Sequence, residues 1–316
     1  MPFAVGRTTA LAAVLALLAA FLLLPGCDRA ERPQKKEPGV AQHHPGTPAP
    51  AQSPTAEVIT IDPMVVFEEP EADSPQEPAV PSQPVHQDDV RPTTAGTSRP
   101  RVAIIIDDMG HHLELGNQLL DLDLNLTFAF LPDAPFTAQQ AAAAFAKGRE
   151  ILLHLPMEPG STAWNPGKSA LYVRDTPDLI REKMARMFAA VPQATGANNH
   201  MGSRFTTDGA AMRVVLATLK DRSFFFIDSY TARGSLGLAM ARQLAVPAAR
   251  RNIFLDNVHD IGTICRQIEE LVVIAEKKGA AIAIGHPNRA TLKALTECEE
   301  RLRATVEIVN ARQLAD

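Results

Sequence analysis

The stretch Arg101-Val102-Ala103-Ile104-Ile105-Ile106-Asp107-Asp108-Met109-Gly110 decides how this chain is read. Residues 101–106 show no alternation of apolar and polar positions, the pattern of a strand covered on both faces. Two adjacent carboxylates begin where the apolar run ends. Like charges side by side are unfavourable in a dry place unless a cation, a proton or water compensates. A bound metal is therefore the first expectation.

The same arrangement recurs downstream. Leu126–Phe130 runs into Leu131-Pro132-Asp133, and Glu150–Leu153 runs into His154-Leu155-Pro156. Ala194–Asn198 leads to Asn199-His200, and Phe224–Ile227 leads to Asp228-Ser229. Asn252–Leu255 stops at Asp256, and Ala280–Ile284 stops at Gly285-His286-Pro287. Each apolar run ends in a side chain able to bind metal or move a proton. Helices predicted between the runs include Thr137–Lys147, Pro177–Ala190, Asp208–Asp221, Leu236–Leu244 and Ile264–Lys278. Strand then helix, repeated, with polar residues gathered where strands end, predicts an α/β barrel or a doubly wound sheet.

Composition places that domain in a larger, exported molecule. The chain has 316 residues, 46% of them hydrophobic, and a net charge of −5, which gives no electrostatic reason to expect nucleic acid. Arg7 precedes an uncharged apolar stretch from Ala10 to Leu24, followed by Pro25-Gly26-Cys27-Asp28, the layout of a secretory signal. Leu24-Pro25-Gly26-Cys27 also resembles a bacterial lipobox, with lipid on Cys27. An uncleaved membrane anchor and a simply cleaved signal are the other two readings of residues 1–27. If Cys27 is lipidated, Asp28 resembles the signal that retains lipoproteins on the inner membrane, so the expected location is periplasmic and tethered to that membrane. Cys265 and Cys298 are too few for a disulfide framework and lack metal-ligand spacing; Cys265 reads as a core residue.

Residues 28–97 read as a tether. From Arg29 to Pro100 the chain holds 14 of its 25 prolines, mixed with Gln, Ala, Ser and Glu, a composition that cannot offset chain entropy by burial. Val58-Ile-Thr-Ile61 and Met64-Val-Val-Phe67 interrupt it, as either a sticky patch or a short strand that docks on the domain or on an envelope protein partner. His43-His44 reads as solvated. The folded unit is expected at residues 98–316.

Within that unit, five motifs stand in order: Ile105-Ile-Asp-Asp-Met-Gly110, His154-Leu-Pro-Met-Glu-Pro159, Gly196-Ala-Asn-Asn-His-Met-Gly-Ser-Arg-Phe-Thr206, Phe226-Ile-Asp-Ser-Tyr-Thr231 and Ile284-Gly-His-Pro287. Together they resemble the divergent polysaccharide deacetylase family of bacterial envelope proteins, from about Arg101 to the C-terminus. That family is a remote relative of the NodB-type carbohydrate deacetylases. The resemblance implies an irregular (β/α) barrel and a divalent metal, commonly zinc.

It also implies roles. In those deacetylases the first strand ends in a general base followed by a metal ligand, which here are Asp107 and Asp108. A plainer reading has the pair cap a helix beginning near His111. His154 stands on what looks like the strand that presents a His-x-x-x-His metal motif in the relatives, but the residue four further on is Glu158. Either Glu158 is a ligand, in a loop constrained by Pro156 and Pro159, or the missing imidazole comes from His200, two strand–helix units away in an open sheet and across the mouth in a closed barrel. Asp108, His154 and His200 would leave positions for water and substrate, as in a catalytic zinc site. His286 matches the late histidine that protonates the leaving amine. Asp228 either orients that imidazole, supports a metal ligand or caps a turn with Ser229. Arg204 either stabilises an oxyanion, pairs with Asp107 or makes a structural ion pair.

Asn198 and Asn199 are candidates for hydrogen bonds to sugar or around the metal, whereas Asp256 and Asn257 read as scaffold. Trp164 and Tyr172 lie on a loop that either stacks on sugar or packs as a lid. The resemblance implies hydrolysis of acetyl groups from an N-acetylated cell-envelope polysaccharide. The alternative is a catalytically inactive scaffold that binds a glycan or an envelope partner. An unrelated amidohydrolase barrel would carry His-x-His after its first strand, where Asp107-Asp108 stands.

Overall fold

Uniformly apolar runs become parallel strands here, and the segments between them return as helices. A computed structural model describes residues 99–316. The secretory signal, lipobox, tether and apolar patches near Val58 and Met64 lie outside the described residues. In chain order the elements are β1 Arg101–Met109, α1 Leu113–Asp121, β2 Thr127–Phe130, α2 Thr137–Ala146, β3 Glu150–Met157, α3 Pro177–Ala190, β4 Gly196–Met201, α4 Gly209–Asp221 and β5 Phe225–Asp228. They continue with α5 Gly237–Gln243, β6 Ala248–Arg250, β7 Ile253–Phe254, α6 Ile261–Lys278, β8 Ala280–Gly285, α7 Arg289–Thr305 and β9 Glu307–Ile308. Helix starts carry the capping chemistry that sets them: Thr176, Asp208, Asp260 and Asn288 each accept from a backbone N–H of the first turn. Helix α6 ends at Gly279, whose φ of 82° suits a left-handed cap.

All strand pairs are parallel, in the spatial order β6-β5-β4-β3-β2-β1-β8-β7, with β9 beside the start of β1. Strands β6 and β7 end that order, yet only Arg251 and Asn252 separate them in the chain. Three Cα steps reach about 11 Å. A flat sheet of eight strands at a spacing of ~4.8 Å would hold its edges about 34 Å apart. The sheet is therefore rolled until its edges meet, an irregular (β/α) barrel rather than an open doubly wound sheet. Its seam is bridged by the segment 248–254: Arg251 N donates to Asp228 O at 3.0 Å, and Asn252 N donates to Ile282 O at 2.8 Å.

Rolling gives each strand an inner and an outer face. Ala103, Ile105, Ala129, Leu152, Phe225, Ile227, Ile282 and Ile284 fill the barrel, while Val102, Ile104, Ile106, Phe128, Leu153 and Ala283 pack outward beneath the helices. On the inner parity the next positions toward the carboxyl ends are Asp107, His154, Asn198 with His200, Ser229 and His286. Both faces are dry, which is why these strands read as unbroken apolar runs. Polar residues stand where the barrel opens.

Strand β1 departs from this parity at one place. Ile106 is in register with Phe128 and Met109 with Phe130, so Asp107 and Asp108 together oppose Ala129 alone. The extra residue is a β-bulge, and Asp108 takes φ 53° to make it. Met109 then returns to the outer core. Asp107 keeps the inner parity and Asp108 turns to the same mouth. Met201 and Tyr230, which follow His200 and Ser229, are also left-handed, at φ 51° and 52°. Such a conformation costs a non-glycine residue roughly 1 kcal/mol or more, and three instances at one mouth mark where the fold holds strain.

The amino end of the barrel is closed by the C-terminus. Ala311 is buried, Leu314 and Ala315 pack on the inner core, and Asp316 exchanges two backbone hydrogen bonds with Ala248. Ala311 N donates to Thr127 Oγ1 at 3.2 Å and Arg312 N to Glu150 at 3.3 Å. Deleting residues 310–316 uncovers this core, and a loss of about 3 kcal/mol is expected, a fall in thermal midpoint of roughly 6–12 °C. A truncated chain melting within 2 °C of the full chain, by circular dichroism, would contradict a plugging role.

Candidate metal centre

The inner parity places His154 and His200 on neighbouring strands. His154 is in register with Asn198 and Pro156 with His200, so the two imidazoles lie side by side with ring centroids 5.0 Å apart. His200 is thus one strand from His154, nearer than the sequence reading placed it. The bulge brings Asp108 between them: its Oδ1 lies 2.8 Å from His200 Nδ1 and 3.1 Å from His154 Nε2. Asp107 Oδ2 stands 3.7 Å from His154 Nε2. The pair does not occupy the N-cap of α1, which is His112.

These atoms fit a cation. One nitrogen or oxygen from each of Asp108, His154 and His200 lies within 4.8 Å of the others. Donor atoms around a four-coordinate zinc ion stand about 3.3 Å apart, which the two Asp108 distances approach. Asp108 Oδ1 is fully buried and satisfied by no directional hydrogen bond, although both imidazoles are close. Its lone pairs face a nitrogen of each imidazole. Two imidazoles and a carboxylate suit zinc and other divalent first-row ions.

Asn198 links this group to Asp107. Its Nδ2 donates to Asp107 Oδ1 at 2.7 Å and toward Ser229 Oγ at 3.3 Å, which turns Oδ1 toward His154 Nδ1 at 2.8 Å. An amide oxygen only accepts, so His154 carries its proton on Nδ1 and presents Nε2 to the Asp108 side. Burial raises the Asp107 pKa, a tendency the His154 and His286 imidazoles oppose and Asp108 reinforces. Burial acts the same way on Asp108, but His200 and His154 outweigh it and hold that carboxyl well below its usual range. Burial disfavours His154 imidazolium, yet the Asp107 and Asp108 charges lift it to about 9. A cation binding here would displace that proton.

Across the mouth stands His286, 5% exposed. Its Nδ1 pairs with Asp256 Oδ1 at 2.9 Å, and Asp256 Oδ2 accepts from His286 N at 2.6 Å, Thr291 Oγ1 at 2.7 Å and Asn288 Nδ2 at 2.9 Å. The orienting carboxylate is therefore Asp256, not Asp228. Asp256, expected to serve the scaffold, thus stands in the site, and its position at the end of an apolar run is the same signal that marks the others. Asp228 falls on the outer parity of β5: its oxygens accept from Tyr230 N, Ser235 Oγ and Leu238 N. It holds the turn before α5, away from the cleft.

Arg204 and Glu158 also lie elsewhere. Glu158 Oε2 accepts from Val173 N at 2.7 Å, and its Oε1 faces the exposed Arg204 side chain at 3.3 Å. The pair anchors the loop after β3, and neither residue lines the cleft. Asn199 lines the cleft, but its amide is occupied by Ser229 N and Met201 O, so it ties β4 to β5 rather than offering itself to a ligand. Tyr172 lies beneath Arg174 and Lys183, and neither it nor Trp164 reaches the cleft. One cation escaped the sequence reading. Arg251 is nearly buried, donates to Ser229 O at 2.7 Å and Tyr230 O at 3.0 Å, and stacks 3.6 Å over Phe254, which lines the cleft beside His286. Burial lowers its pKa to about 10, against the pull of Asp107 and Asp228.

The cleft is walled by Asn199, Met201, Ser229, Thr231 and Phe254 around five ionisable groups, Asp107, Asp108, His154, His200 and His286. A parallel (β/α) barrel with an Asp/His/His group at the carboxyl mouth is the architecture of a carbohydrate-deacetylase-like protein. The family profile described as divergent polysaccharide deacetylase matches residues 104–315. The chain belongs to the divergent polysaccharide deacetylase family. It is 33% identical over 215 residues to the uncharacterized protein YibQ of Escherichia coli, covering 68% of this chain and 67% of that one. An uncharacterized protein of Haemophilus influenzae is 31% identical over 228 residues, 70% of this chain and 79% of that one. A crystal structure of an uncharacterized protein of Agrobacterium tumefaciens superposes with a TM-score of 0.67 at 26% identity, covering 71% of this chain and 92% of that one.

Proposed function

We propose that this protein is a metal-dependent hydrolase that removes acetyl groups from an N-acetylated polysaccharide of the cell envelope, working outside the cytoplasm. The observation that carries the reading is the convergence, at one barrel mouth, of an Asp/His/His group with a further carboxylate and a carboxylate-held imidazole. Asp108, His154 and His200 would hold a divalent ion such as zinc, whose chemistry there is to acidify water and polarise the amide carbonyl.

Asp107 takes a proton from the attacking water; Asn198 fixes its Oδ1 and leaves Oδ2 for that proton. Asn198 also keeps His154 in the tautomer that presents Nε2. His286, held by Asp256, gives a proton to the nitrogen as the carbon–nitrogen bond breaks, releasing acetate and an amine. Arg204 has no part in this scheme, because its guanidinium is exposed and engaged with Glu158.

Release of acetate from N-acetylglucosamine oligomers and from peptidoglycan tests the reading. The expected result is turnover that chelation abolishes and added zinc restores. No acetate from a metal-loaded, folded protein on either substrate would favour a binding scaffold instead.

A further inference from the structure

Cys265 and Cys298 stand apart from the site and from its chemistry. Cys265 lies in the second turn of α6 and Cys298 in the middle of α7, 33 residues later, with both side chains partly buried. Their sulfurs are 2.6 Å apart. That is closer than unbonded sulfur atoms rest and about 0.5 Å beyond a disulfide bond length of ~2.05 Å. Among the described residues the Asp108, His154 and His200 group is the one set of metal-capable side chains, so the two thiols have no third ligand with which to hold a metal. We propose that Cys265 and Cys298 form a disulfide that fastens α6 to α7 in the exported protein.

The bond has a defined place in the fold. Helix α6 joins β7 to β8 and α7 follows β8, so the link clamps the two helices that flank the strand carrying His286. Asp256 lies just before α6 and His286 just before α7. A covalent tie there limits how far the two partners can separate.

Formation proceeds by exchange with an oxidised disulfide, either of a protein dithiol oxidant or of glutathione. The thiolate of one cysteine, here Cys265, attacks the external disulfide first. It forms a mixed disulfide and expels one thiolate. The Cys298 thiolate then attacks the Cys265 sulfur and expels the second. Two protein thiols and one external disulfide become one protein disulfide and two external thiols.

Mass spectrometry of the full chain tests this. The chain is isolated from the envelope of expressing cells, with thiols alkylated at harvest, and a second sample is first equilibrated with oxidised glutathione. A tryptic digest without reductant is expected to give peptides 252–266 and 294–301 joined and two hydrogens lighter than their sum. Reductant should lower the thermal midpoint by about 5–10 °C, C265S and C298S should each reproduce that fall, and the double variant should fall no further. Singly alkylated peptides in both samples, a link from either cysteine to Cys27, or a midpoint indifferent to reductant would overturn the proposal.

Discussion

Asp107→Asn is expected to lower acetate release by about 10³–10⁴-fold, the range over which a positioned base contributes, while the metal stays bound. The variant keeps a side chain that accepts from Asn198 Nδ2, so the bulge and the neighbouring His154 need not move. What it removes is the second oxygen, the one nearest His154 Nε2 at 3.7 Å, and with it the capacity to take a proton. Burial, which raises the Asp107 pKa, makes the native carboxylate a better base than an exposed one, and an amide has no such capacity at any pH. Acetate release, metal content and near-ultraviolet circular dichroism on one preparation check the three parts. Activity within tenfold of the native protein's would remove Asp107 from the base role.

The second large effect is expected from Asp256→Asn, through His286 rather than through the metal. Burial alone would lower the His286 pKa, but the Asp256 charge and hydrogen bond outweigh it and the net shift is upward. Burial opposes ionisation of Asp256, and His286 again outweighs it, so its net shift is downward. The signs define a window. Stabilisation from the raised histidine is complete below its ordinary 6.5 and is lost as pH rises through the folded value. Stabilisation from the lowered carboxylate is complete above its ordinary 3.8 and is lost as pH falls through the folded value. Without Asp256 the imidazole gives up its proton at lower pH, so the alkaline limb of kcat/KM should move down and kcat should fall about 10²–10⁴-fold. An unchanged alkaline limb would show that His286 is not the group that titrates.

The (β/α) architecture was legible because each strand is buried on both faces, so β1, β3 and β8 appear as unbroken apolar runs. The same runs pointed to Asp107, Asp108, His154, His200 and His286, and the structure brings these five to one cleft. The bulge was not legible: a single extra residue between Ile106 and Met109 leaves no trace in the hydrophobic pattern, yet it turns Asp108 into the mouth. Strand β6, Ala248-Ala-Arg250, carries too little apolar side chain to announce itself, and with it the closure of the barrel was hidden. Parity separates Asp228 from Ser229, one residue apart and on opposite faces, and counting from Phe225 and Ile227 would have sent Asp228 outward. Glu158 and Arg204 depend on where a proline-bounded loop turns, which neither period nor spacing encodes.

Metal content of the purified protein, by mass spectrometry without chelator, tests the central claim most directly. The account predicts about one divalent ion per chain in the native protein and in Asp107→Asn and Asp256→Asn. Asp108→Ala and His200→Ala should lose it while still folding. A folded native protein that stays metal-free after dialysis against zinc would contradict the account.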